Sequence, residues 1–99
     1  MSYADFTARQ RRLMALRLMR EDGDAACDHV LMLALRELGF PRLTSEQMRA
    51  DIEALRERHL VTVSWLDDRH ATMTLTERGV DVALGRVVVE GVAKPDRVG

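Results

Sequence analysis

The segment from Gly39 to Thr76 leaves this chain little choice of fold. It opens on a break, Gly39-Phe40-Pro41, in which Gly39 stands where a left-handed residue closes a helix and Pro41 forbids its continuation. Thr44-Ser45-Glu46-Gln47 then offers a capping box: the Thr44 hydroxyl can accept from the backbone amide of Gln47 while the Gln47 side chain reaches back. The helix so opened is predicted to run from Thr44 to about Arg58, with Met48, Ile52, Leu55 and His59 on one narrow inward stripe. Leu60 to Leu66 is rich in β-branched and aromatic residues, Asp67-Asp68 supplies turn chemistry, and Ala71 to Leu75 alternates Thr with apolar residues, which reads as a β-hairpin. Thr76 caps a short further helix with Val80, Ala83 and Leu84 facing the core, although Gly79 weakens it.

Two more helices are predicted upstream. Tyr3 to Arg20 holds no Gly or Pro, and Ser2 or Asp5 can cap its start. Its apolar residues Leu13, Met14, Ala15, Leu16, Leu18 and Met19 spread around the whole circumference, the pattern of a helix covered on all sides. After a charged loop from Glu21 to Asp24, Asp24 is read as the N-cap of a helix from about Ala25 to Leu38. That helix carries a stripe of Cys27, Val30, Leu31, Ala34, Leu35 and Leu38, with Met32 and Leu33 extending onto another side. A small monomer can hardly cover so much apolar surface, so a homodimer is expected, with the partner subunit or the chain's own tail lying over the excess. Beyond Gly85 the run Arg86 to Val92 reads as extended. The organisation is then one domain over residues 1–93 and a flexible tail over 94–99.

Composition narrows the function classes. Apolar residues make up 46% of the chain but aromatics only 4%, so the core is built from Leu, Val, Met and Ala, and an aromatic-lined ligand cage is not expected. The formal charge of −1 hides an uneven layout: residues 1–20 hold five Arg against Asp5, whereas residues 21–60 hold nine acids against five Arg. Arg9, Arg11, Arg12, Arg17 and Arg20 can track a DNA backbone or form a solvated face paired with acids such as Glu21 and Asp22. The single cysteine, Cys27, allows no intrachain disulfide, no run approaches 18 uncharged apolar residues, and the first 20 residues lack a signal-peptide core. A cytoplasmic chain that neither crosses nor anchors in a membrane is expected.

Catalytic and metal chemistry find little support. Cys27, His29, His59 and His70 invite a metal site, but Cys27 and His29 lie two apart on a predicted helix and point roughly 200° away from each other, so no metal is expected. Asp67 and Asp68 are turn formers, and no Ser-His-Asp order, glycine-rich phosphate loop or HExxH pattern occurs. No enzyme activity and no cofactor are expected. Trp65 is read as an anchor of the hairpin to the body.

Three helices, the break between the second and third, Arg58-His59-Leu60-Val61-Thr62 entering the hairpin and Leu75-Thr76-Glu77-Arg78-Gly79 leaving it resemble the winged helix-turn-helix superfamily of bacterial transcription regulators. More narrowly, the chain resembles a family of small proteins of Mu-like transposable phages and prophages. That likeness is carried by Arg11-Arg12-Leu13, Thr44 to Leu60, Leu75 to Gly79 and Gly85 to Val92. The resemblance implies a mainly α fold with a small β-hairpin (α+β), double-stranded DNA as partner, and transcription regulation. It implies that the start of the third helix enters the major groove while the hairpin, or wing, touches the backbone or minor groove. The residues so placed are Arg42, Thr44, Ser45, Gln47 and Arg49, with Arg69 and His70 beside the wing turn. Gln47 suits an adenine edge and Arg49 a guanine, while Thr44 and Ser45 suit phosphate oxygens or capping.

The residues themselves supply a counter-argument. Opposite the Met48-Ile52-Leu55 stripe lie Glu46, Ala50, Glu53, Ala54 and Glu57, a face with three carboxylates and no base that phosphate repels. A DNA-binding helix must tilt to present its first turn and one flank, with Arg42, Arg49, Arg56 and Arg58 compensating. The alternative is a protein-interaction module whose acidic helix face meets a basic partner.

Overall fold

A computed structural model describes residues 1–95, and residues 96–99 of the expected tail lie outside that description. Among the described residues the fold is α+β, in the order α1 (Tyr3–Glu21), β1 (Ala25–Cys27), α2 (Asp28–Glu37), α3 (Ser45–Glu57), β2 (Val61–Trp65), β3 (Ala71–Leu75) and α4 (Glu77–Ala83). The three strands form one antiparallel sheet in the order β1-β3-β2. Leu16 and Met19 of α1, Leu35 of α2, Leu55 of α3 and Met73 of β3 meet in the core with essentially no exposure.

Ser2 settles the start of α1: its hydroxyl accepts from the Asp5 amide at 3.1 Å and the Asp5 carboxylate accepts from the Ser2 amide at 3.3 Å, a reciprocal box. The expected helix from Ala25 is corrected, because Ala25–Cys27 is a strand. Ala25, Ala26 and Cys27 pair with Thr74, Met73 and Thr72, so the far edge of β3 supplies ladder bonds in place of the first helical turn. Asp24 is not an N-cap. It sits at φ 71°, its carboxylate bound by Arg20 at 2.7 and 2.8 Å and its carbonyl accepting from the Leu75 amide at 2.7 Å. With the helix starting at Asp28, its inward side is Leu31, Met32 and Leu35, at helical spacings of one, three and four. Val30, Leu33 and Leu38 are left exposed at 62, 44 and 52%, and Cys27 is exposed as well.

α3 keeps the capping box at Thr44 and Gln47, and Met48, Ile52 and Leu55 are buried as its stripe requires. His59 leaves that stripe: it is exposed and takes φ 60° past the helix end. The His59 amide donates to the Arg56 carbonyl at 2.9 Å and the Leu60 amide to the Leu55 carbonyl at 3.0 Å, a Schellman closure with His59 in the left-handed position. The hairpin pairs Val61 with Leu75, Val63 with Met73 and Trp65 with Ala71. In β3 the buried residues Ala71, Met73 and Leu75 alternate as a strand with one face on a core demands.

Thr76 caps α4 through the Gly79 amide at 3.0 Å, but the inward residues are Gly79, Val82 and Ala83, while Leu84 is exposed and Val80 half-buried. Gly79 is there for proximity, since a Cβ at that position would lie 2.0 Å from the Leu60 carbonyl oxygen. Arg86 to Val92 forms no strand. It turns back over α1, where the Ala93 amide donates to the Arg9 carbonyl at 3.1 Å and the Arg12 guanidinium to the Gly91 carbonyl at 3.1 Å, burying Val89 and Val92. The chain's own tail thus covers one side of α1.

Beneath that tail lies a buried ion cluster. Arg11 Nε donates to Asp51 Oδ2, while Arg11 Nη2 and Arg12 Nε each donate to Asp51 Oδ1 at 3.0 Å. Arg11 and Asp51 are 7% and 2% exposed, so the arginine expected on a solvated or DNA-facing surface belongs to the core.

Candidate functional site

The first turn of α3 is exposed, yet Thr44 and Gln47 are already engaged in its cap. Thr44 Oγ1 accepts from the Gln47 amide at 3.1 Å, and Gln47 Oε1 accepts from the Thr44 amide at 3.0 Å. A bidentate adenine contact uses the oxygen as well as the nitrogen of the Gln47 carboxamide, and the cap already fixes that oxygen's orientation. Arg49, one helical turn on, leans across to the hairpin. Its Nη2 donates to the Asp68 carbonyl at 2.8 Å and its guanidinium carbon sits 5.4 Å from the centroid of the Trp65 ring, a cation–π contact. Arg49 therefore ties α3 to the hairpin, and Trp65, 46% exposed, is held from above by it.

The hairpin turn is organised by Asp67. Its Oδ1 accepts from the backbone amides of Arg69 at 2.7 Å and His70 at 2.8 Å, and both carboxylate oxygens lie 3.1 Å from His70 Nδ1. The Arg69 amide, and next the His70 imidazole, hold the Asp67 carboxyl below its ordinary value. The turn thereby projects Arg69 and His70 toward α3.

Between these elements runs a groove of about 260 Å³. α3 contributes Ser45, Met48, Arg49 and Ile52, the turn contributes Arg69 and His70, and α2 contributes Asp28, His29 and Met32. Four sequence-predicted residues, Ser45, Arg49, Arg69 and His70, are brought together here. Arg42, Thr44 and Gln47 do not line the groove; all three are exposed, Arg42 in the approach to α3 and the other two at its start. Asp28 and His29 were not anticipated, because a helix assumed to begin at Ala25 puts them in its second turn. The carboxylate at Asp28, which suits a helix's first turn, is the signal that points to the true start.

The outward face of α3 is as acidic as the sequence implies, with Glu46, Glu53 and Glu57 exposed. The arginines expected to compensate are largely occupied. Arg56 Nε donates to Glu53 at 3.0 Å, which lowers the Glu53 carboxyl and raises the Arg56 guanidinium, and Arg58 donates to the carbonyls of Glu90 at 2.7 Å and Ala54 at 2.9 Å. On α1, Arg11 and Arg12 hold Asp51 and Arg20 holds Asp24, not Glu21 or Asp22.

A comparison with known proteins finds 36% identity over 91 residues with the "Uncharacterized protein gp26" of Escherichia phage Mu, covering 92% of this chain and 93% of that protein. The chain belongs to the gp26 family. Its match with gp26 runs nearly end to end and supports a phage origin. No protein-family model and no solved structure matches this gp26 relative. Among its described residues, no helix is long and apolar enough to cross a membrane.

Proposed function

We propose that this chain is a winged helix-turn-helix domain of a phage or prophage that binds double-stranded DNA and regulates transcription. The observation that carries the reading is the groove in which Ser45, Arg49, Arg69 and His70 meet at the junction of α3 and the hairpin. The element order supports it: a helix pair across a short break, then a hairpin whose second strand also pairs with a strand placed before α2. On this reading the first turn and one flank of α3 enter the major groove, and the β2–β3 turn lies against the backbone as the wing. Arg42, Thr44 and Ser45 face phosphate oxygens, and Arg69 and His70 meet the strand beside the wing. A homodimer is part of the proposal. The tail accounts for one side of α1, and exposed Val30, Leu33 and Leu38 on α2 remain for a partner subunit, which predicts half-sites about 10 bp apart.

The test is an anisotropy titration of purified protein against a labelled random duplex at two salt concentrations. Phosphate contacts predict a steep fall of log affinity with log salt. Absence of binding at low salt overturns the reading.

A second reading is favoured by one specific observation, the exposed Glu46, Glu53 and Glu57 with Arg56 already held by Glu53. A protein-interaction module would use that face against a basic partner, with a flatter salt dependence.

A further inference from the structure

We infer that the groove between α2, α3 and the hairpin turn seats one DNA backbone phosphate, and that seating it takes up protons on His70 and His29. The inference rests on the DNA-binding reading and adds to it the ligand group and its linkage to pH. The charged and titratable groups lining the groove are Asp28 and His29 from α2, Arg49 from α3, and Arg69 and His70 from the turn. Counting Asp67 against His70, these sum to zero with both imidazoles neutral and to two positive charges with both protonated.

His70 makes the linkage specific. Its Nδ1 lies 3.1 Å from both oxygens of Asp67, a carboxylate that can only accept, so Nδ1 carries a proton in either charge state. Neutral His70 therefore presents a bare Nε2 lone pair, which faces phosphate oxygen as acceptor against acceptor. Protonation turns Nε2 into a donor and makes the contact charge-assisted. Seating a phosphate therefore favours the protonated imidazole, so the groove binds it better as pH falls. His29 adds a second imidazole from the first turn of α2. Asp28 beside it opposes an anion, and its carboxylate is fixed there by accepting from the His29 backbone amide at 2.7 Å.

The experiment measures affinity for one labelled duplex at constant ionic strength, at about pH 5.5 and about pH 8. It uses the wild type, His70→Gln, the double variant His29→Gln with His70→Gln, and Asp28→Asn. Both histidines are exposed, so the substitutions leave the core untouched, which far-UV circular dichroism checks. A proton taken up on binding changes affinity by up to about tenfold per pH unit. The wild type is expected to bind at least about tenfold tighter at the acidic pH, the double variant to change by less than about twofold, and Asp28→Asn to bind tighter throughout. A wild-type affinity independent of pH, or an equal slope in the double variant, overturns the inference and leaves DNA binding standing. No duplex binding at either pH removes both. A parallel titration with inorganic phosphate, followed by imidazole proton resonances, is expected to give no saturation in the micromolar range. Saturation there assigns the groove to a free phosphate and overturns the DNA seat.

Discussion

Replacing Asp51 by Ala tests whether the cluster beneath the tail holds the domain together. Both Asp51 oxygens are occupied, one by Arg11 Nε and the other by Arg11 Nη2 and Arg12 Nε, and the side chain is essentially sealed from water. Removing the carboxylate leaves the Arg11 guanidinium buried without an anion. Arg12 suffers less, because it is more exposed and keeps the Gly91 carbonyl. Breaking a buried pair from one side costs about 3–5 kcal/mol. Domains of this size have a total stability of about 5–15 kcal/mol, so the loss is a large fraction of the whole. At roughly 4–8 °C per kcal/mol it lowers Tm by more than about 10 °C. The assay is urea unfolding followed by circular dichroism, read as a fall in midpoint at constant m. A companion variant, Arg11→Met with Asp51→Leu, removes charge from both sides and is expected to recover most of the loss, as apolar replacement of buried pairs often does. If Asp51→Ala costs less than about 1 kcal/mol, the range of a surface pair, the cluster is hydrated and the reasoning fails.

Gly79→Ala is expected to destabilise by about 1–3 kcal/mol through overpacking against the Leu60 carbonyl, although helix propensity alone predicts a gain of about 1 kcal/mol. A rise in urea midpoint would show that α4 can shift away from the Leu60 carbonyl. Arg49→Ala is expected to weaken binding to all duplexes alike, because it removes the tether to the Asp68 carbonyl rather than a base contact. Loss confined to one operator position in a selected-site titration would instead support a guanine contact. The Asp67 carboxyl is lowered from 3.8 when folded, so its support of the turn is present above the unfolded value and is lost as pH falls through the folded one. The Arg69 and His70 amide resonances should therefore hold their positions on acidification until below 3.8, and a transition centred above it contradicts the turn geometry.

The parts of the fold legible in the sequence are those written in neighbouring residues. The Thr44-Gln47 box, the alternation from Ala71 to Leu75 and the Asp67 turn are local signals, and each is found where it was expected. β1 was not legible, because Ala25-Ala26-Cys27 has no strand composition of its own and becomes a strand only by meeting the edge of β3. That shift moved the start of α2 and with it the helix face on which Asp28 and His29 join the site. His59 leaves the stripe that its spacing suggests, because it is the left-handed residue of the Schellman closure and no longer helical. The run from Val87 to Val89 reads as β-prone, yet Gly85 and Gly91, at φ 80° and 92°, bend the segment around α1 instead. Arg11 and Asp51 lie forty positions apart, and nothing local says that two charged residues will bury each other. At the site, resemblance grouped Arg49, Arg69 and His70, but the engagement of Arg49 with Trp65 is visible only in three dimensions.

The chain holds a single tryptophan, and it lies directly under the guanidinium that joins α3 to the hairpin. Its emission therefore reports, without any attached dye, whether those two elements stay together or part. An indole half open to water, with a cation over its face, should change in intensity and wavelength whenever Arg49 lets go. The protein thus carries its own optical gauge of whether α3 and the hairpin stay joined.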